Sequence, residues 1–161
     1  MFIQKETLQS AWPKIKYYCA FQERAHQEVR NKLYEYGLHK VDVELHISRL
    51  IEENYLNEER FAIQFAGGKF RMKHWGKIKI QYELKAKGVG EYVIKNALKT
   101  IPASDYERTI EKLADQKFKT LKSEKNHLIR KKKMQDFLLQ KGYERSLIIS
   151  IISKITAKEN K

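Results

Sequence analysis

The chain has almost none of the residues that interrupt helices. Of 161 residues only two are proline and seven are glycine, too few to turn a many-stranded sheet protein at every hairpin. Cysteine occurs once, as Cys19. That excludes an internal disulfide framework or thiolate metal cluster and suits a reducing compartment. Cys19 reads as a small, partly buried apolar residue. No apolar run reaches the roughly 18–20 residues that span a bilayer. The opening MFIQKETLQS has no basic-then-apolar leader pattern. The expectation is a soluble, cytoplasmic protein without a membrane partner.

What is abundant is helix-forming and charged. Apolar residues make up 42% and charged residues 33%, enough for a core and against wholesale disorder. Lys, Glu, Leu, Ile and Gln are common, so an all-α chain is expected. Charge is unevenly spread. Residues 1–60 carry nine Lys/Arg and ten Asp/Glu, a net of −1, whereas residues 61–161 carry +14. A wet surface does not need that asymmetry, although solubility alone can produce it. It points the later two-thirds at a polyanion.

A repeat organises the chain. Three segments, KLYEYGL (32–38), ELKAKGV (83–89) and FLLQKGY (137–143), end alike. Aligned on Gly37, Gly88 and Gly142, apolar residues recur at six offsets. Val29, Ile80 and Met134 come eight before, and Leu33, Leu84 and Leu138 four before. Leu38, Val89 and Tyr143 come one after. Val43, Ile94 and Ile148 come six after, Ile47, Leu98 and Ile152 ten after, and Leu50, Ile101 and Ile155 thirteen after. The first two offsets share one helical face, and the last three share a face of a second helix. The glycine belongs at the stop between them, where the left-handed conformation favours a residue without Cβ.

A third helix completes each unit. Asn57 can cap one, followed by Glu58 and Glu59 at its positive end. SDYE (104–107) has the spacing of a capping box, and Pro102 closes the helix before it. Leu8–Arg24 supplies the remaining one, with Pro13 interrupting it or near its start. The expected organisation is a single all-helical repeat domain over 1–161. Its three tandem three-helix units lie at about 6–53, 57–101 and 104–156, in an elongated or curved array.

Two basic stretches are candidate binding surfaces. KFRMKHWGKIK (69–79) offers Lys69, Arg71, Lys73, Lys77 and Lys79 for phosphates, with Phe70, His74 and Trp75 interleaved for stacking on unpaired bases. On a continuous helix Phe70, His74 and Trp75 fall together, and Phe70 and Trp75 equally suit a core. HLIRKKKMQDF (127–137) offers Arg130, Lys131, Lys132 and Lys133, which span a full turn, so most must be exposed. Lysine predominates, which favours diffuse phosphate attraction over bidentate base reading. Lys117, Lys119, Lys122 and Lys125 add charge nearby. The histidines, His26, His39, His46, His74 and His127, form no recognisable metal pattern. No phosphate loop, nucleophile elbow or catalytic carboxylate pair is present. Neither enzymatic activity nor a cofactor is expected.

NYLNEERFA (54–62), WGKIKIQYELKAKGV (75–89) and MQDFLLQKGYERSLIISII (134–152), in that order and spacing, resemble the RecX family of bacterial recombination regulators. ERAHQEVRNKLYEYG (23–37) is similar to that family's first repeat, with His26 in place of a small hydroxyl residue and Glu23-Arg24 in place of a basic pair. The resemblance covers about residues 17–155. It implies a partner, the RecA recombinase filament on single-stranded DNA, and a role in recombination, DNA repair and the SOS response. It also implies inhibition of strand exchange and of the filament's ATP hydrolysis, with no catalytic residue. Two rivals rest on the residues alone: a non-specific nucleic-acid-binding module, and a scaffold of stacked helices for protein partners.

Overall fold

The computed structural model describes residues 6–159. Residues 1–5, on which the reading of the N-terminus partly rests, lie outside the described residues. Among those described, the chain forms nine helices and no strand: α1 (Leu8–Phe21), α2 (His26–Glu35), α3 (Lys40–Glu52), α4 (Glu58–Lys73), α5 (Lys77–Ala86), α6 (Glu91–Lys99), α7 (Ala103–Thr120), α8 (His127–Lys141) and α9 (Arg145–Glu159). The fold is an all-α helical repeat. It divides into two compact units, Met1–Phe65 with Leu84–Ala97, and Ala66–Glu83 with Leu98–Lys161.

The glycine frame is realised at all three positions. Gly37, Gly88 and Gly142 adopt φ of 89°, 80° and 97°, the left-handed region that penalises a Cβ. In each copy the amide after the glycine reaches back to the apolar residue four before it. Leu38 donates to the Leu33 carbonyl at 3.4 Å, Val89 to Leu84 at 3.1 Å and Tyr143 to Leu138 at 3.2 Å. This is the C-terminal cap in which the chain folds over its own last turn. Of the eighteen apolar positions in the frame, all but Leu98 and Ile155 are buried, and those two are partly exposed.

Helix starts follow the sequence less closely. Asn57 caps α4 as expected, its side-chain oxygen accepting from the Arg60 amide at 2.9 Å. The SDYE capping box does not form: α7 begins at Ala103 with no side-chain cap. Pro102, extended at φ −62° and ψ 133°, takes the cap position instead, and its carbonyl accepts the Tyr106 amide at 3.0 Å. Ser104 thus lies inside the first turn. α1 runs unbroken through Pro13, and its start is a reciprocal box between Thr7 and Ser10 that the sequence reading missed.

In the first unit Ala11, Ile15 and Cys19 of α1 meet Val29, Leu33, Val43, Ile47 and Leu50 of α2 and α3. Each of the larger side chains contributes about 1.5–3 kcal/mol by leaving water. Burial pushes the Cys19 thiol up to about 11, so it stays protonated, as its packing role requires. Ion pairs fasten the outside: Arg30 to Glu44 at 2.8 Å, Lys87 to Glu28 at 3.1 Å, and Arg60 to Glu23.

In the second unit, the α8–α9 junction abuts the α4–α5 junction backbone to backbone. The Gly76 amide donates to the Lys141 carbonyl at 2.8 Å and the Ile78 amide to the Gly142 carbonyl at 2.9 Å. A methyl at Gly76 would collide with the Gly142 carbonyl, so glycine is needed for the approach. Tyr106 braces the same junction. Its hydroxyl donates to Glu144 at 2.7 Å and accepts from the Lys77 amide at 3.0 Å, while its ring lies 5.8 Å from Phe70 and 5.2 Å from Tyr143. Desolvation holds both tyrosine hydroxyls well above their usual range.

Candidate nucleic-acid interface

All ten candidate residues fall in the second unit. That unit carries a net +12 of the chain's +13, leaving +1 for the first. A field so one-sided attracts polyanions over distances of about a Debye length, roughly 8–10 Å at physiological salt.

The stretch 69–79 is not one helix. α4 stops at Lys73, His74 takes a left-handed φ of 57°, and α5 starts at Lys77. The cause is the tight backbone approach at Gly76, which a continuous helix could not make. Three groups result. Lys69 and Lys79 bring their ammoniums to 5.1 and 4.6 Å from the centroid of the half-buried Trp75 ring. Lys77 leans on Tyr106, at 4.9 Å. Arg71 and Lys73 are exposed, as is His74. Phe70 is core, 6% exposed, and is not a freely exposed stacking face for an unpaired base. Trp75 already holds two cations at its ring, so a stacking base must compete with contacts worth about 0.5–1 kcal/mol each at exposed sites.

The second stretch divides as well. Arg130 is buried, 8% exposed. Its guanidinium donates to both Glu159 carboxylate oxygens at 3.0 Å and to the Glu124 carbonyl at 2.7 Å, and lies 5.2 Å from the Phe118 ring. It holds the start of α8 to the end of α9 and has no free face for a phosphate. Lys131, Lys132 and Lys133 are exposed. Lys132 meets Asp136 at 2.8 Å and Lys133 meets Glu124 at 3.7 Å, open pairs of little strength. Along α8 this triplet is roughly 15 Å from Gly142, at 1.5 Å per residue, and so well separated from Trp75's surroundings.

Two basic residues escaped the sequence reading. Arg108 and Lys112 of α7 line a cleft of about 410 Å3 together with Arg71 and His74. Their separation of 37 and 41 residues from Arg71 hides the grouping; the i, i+4 spacing of Arg108 and Lys112 was the one available signal. Among the described residues no cluster of three or more His, Cys, Asp or Glu could hold a metal, and no helix is long and apolar enough to cross a membrane.

Residues 57–98 match the second three-helix domain of RecX and residues 104–152 match the third. The chain belongs to the RecX family. It is 34% identical over 137 residues to regulatory protein RecX of Clostridium perfringens, covering 84% of this chain and 64% of that one. It is 27% identical to RecX of Oceanobacillus iheyensis, covering 98% of this chain and 57% of the relative. This RecX chain therefore spans about three-fifths of the length of those relatives. The crystal structure of RecX from Lactobacillus salivarius superposes with a TM-score of 0.84 at 21% identity, over 93% of this chain and 97% of that one. This likeness confirms the RecX fold.

Proposed function

We propose that this RecX-family chain is a regulator that binds RecA and its single-stranded DNA filament and inhibits the recombinase and its ATPase activity. Family membership carries the reading, since the relatives are named regulatory proteins. The concentration of +12 in one unit supplies what an encounter with a negatively charged filament requires. In this reading Lys131–Lys133, Lys73 and the lysines around Trp75 meet single-stranded DNA, duplex DNA or acidic recombinase surface. The three segments 6–53, 57–101 and 104–156 act as successive units. The protein works in the cytoplasm as a non-enzyme and needs no cofactor. The test is titration of the chain into a preformed recombinase filament on single-stranded DNA. ATP turnover should fall at substoichiometric protein; unchanged turnover and strand exchange at saturation would remove the recombinase from the account. The second reading, a non-specific nucleic-acid-binding module, is favoured by the charge alone. It predicts equal affinity for bare strand and filament at matched salt.

A further inference from the structure

The cleft between the end of α4 and the flank of α7 is built from parts that the regulatory reading does not use. Its floor is apolar, with Phe70 and Leu113 both buried. Its rim carries Arg71, Arg108 and Lys112 against one carboxylate, Asp105. Asp105 pairs with Arg108 and so steadies that guanidinium. Three cations and one anion leave a surplus of two positive charges, which matches the charge of about −1.5 to −2 on a phosphate monoester at neutral pH. The volume, about 410 Å3, lies within the roughly 300–1,000 Å3 of small-molecule sites.

Two backbone features point the same way. Gly67 sits inside α4, where glycine is unfavourable relative to alanine. A Cβ there would press on the Arg71 guanidinium, 2.7 Å from its Nη1. The glycine thus leaves room for Arg71 to fold back along its own helix, in the place where it lines the cleft. His74, also at the cleft, holds a left-handed φ of 57°, uncommon for a residue with a side chain. Its amide donates to the Phe70 carbonyl at 3.0 Å, and its carbonyl accepts the Tyr143 hydroxyl at 2.9 Å. These bonds hold His74 at the cleft's edge, in the turn that the approach at Gly76 requires.

We propose that this cleft binds a nucleoside phosphate monoester, with Arg71, Arg108 and Lys112 on the phosphate and the ring system against Phe70 and Leu113. The ligand is either a free nucleotide or the phosphorylated end of a strand; both present the same group. Thr109 lines the cleft too, but its hydroxyl donates to the Asp105 carbonyl at 2.8 Å, so it offers the ligand an acceptor. The site needs no recombinase, and its test contains none, so its failure is separate from that of the regulatory reading.

The experiment is calorimetric titration of the full chain with deoxyadenosine 5′-monophosphate, deoxyadenosine and inorganic phosphate. Short oligonucleotides with and without a 5′-phosphate complete the set. The monophosphate should bind at least tenfold more tightly than either the nucleoside or inorganic phosphate. Arg108→Gln with Lys112→Gln should weaken it at least tenfold with an unchanged far-ultraviolet circular dichroism spectrum. Gly67→Ala should weaken it severalfold while raising Tm, a combination that a purely structural glycine would not give. Lys95→Gln, exposed on α6 in the first unit, should change nothing. A gain on 5′-phosphorylation of the oligonucleotide assigns the site to strand ends, and a gain for the free monophosphate alone assigns it to free nucleotides. Equal binding of nucleoside and monophosphate overturns the proposal. So does equal binding of inorganic phosphate, or an equal loss in Lys95→Gln.

Discussion

The two compact units are joined in one chain and share one helical grammar, yet they hold themselves together differently. The first is close to neutral and fastens its exterior with ion pairs such as Arg30–Glu44 and Lys87–Glu28. The second carries +12 and places its strongest ties inside: the Gly76–Lys141 and Ile78–Gly142 backbone bonds, the Tyr106 hydroxyl and the buried Arg130. A unit with so large an excess of cations has too few carboxylates to use most of its lysines as fasteners. Its self-repulsion is offset by buried hydrogen bonds that salt does not screen.

That contrast is easiest to break at the glycines. Gly142→Ala should destabilise by at least about 3 kcal/mol, adding the left-handed penalty of about 1–2 kcal/mol to a clash with Lys79. Gly88→Ala in the first unit meets only the flexible Gln27 side chain, at 3.2 Å, and should cost about 1–2 kcal/mol. Chemical denaturation of both variants measures the gap, and equal costs would dissolve the distinction. Next in size, Lys131→Glu, Lys132→Glu and Lys133→Glu together should weaken single-strand binding at least tenfold. The log–log salt slope should flatten by about 2, at roughly 0.7 per phosphate contact; filter binding across a salt series reads both. The same reversal at Lys85 and Lys95 in the first unit should have little effect. Arg130→Met should lower stability by about 1.5–3 kcal/mol, the range for hydrogen bonds to a charged group, while leaving the salt slope unchanged. A changed slope would return Arg130 to the binding face.

The smallest effect concerns His26 in the first unit. Burial holds its pKa below the ordinary 6.5, with Arg30 adding to and Glu58 opposing the shift, and its Nε2 is buried without a hydrogen-bond partner. The unfolded chain therefore binds the proton more readily, and stability declines as pH falls through about 6.5. Glu6 and Glu44, whose pKa values are lowered by Lys14 and Arg30 respectively, lose their contribution only in more acid solution, below about 4.5. Thermal melts of His26→Gln between pH 7 and 5 should show a flatter decline than the parent.

Sequence periodicity located the glycine caps and their apolar companions because these are local. The residues concerned lie within one helix–turn–helix, and hydrogen bonds of five-residue reach decide them. Asn57 was legible for the same reason. The SDYE box failed because Pro102 took the cap position two residues before Ser104, so that Ser104 and Glu107 both lie inside the helix. Arg130 looked like a member of a basic run, but the groups that bury it, Phe118 and Glu159, are 12 and 29 residues away. The break in 69–79 depends on Gly76 meeting Gly142, and the cleft depends on α7 lying beside α4. Such pairings between distant segments leave no period to read.

The contact between residues 76 and 142 has a consequence for biosynthesis. Gly76 cannot make its bond to Lys141 until some 65 further residues have been synthesised, so the second unit cannot close when its first helix emerges from the ribosome. The chain has two tryptophans, Trp12 in one unit and Trp75 in the other. Single-tryptophan variants therefore provide a separate optical clock for each half of the molecule.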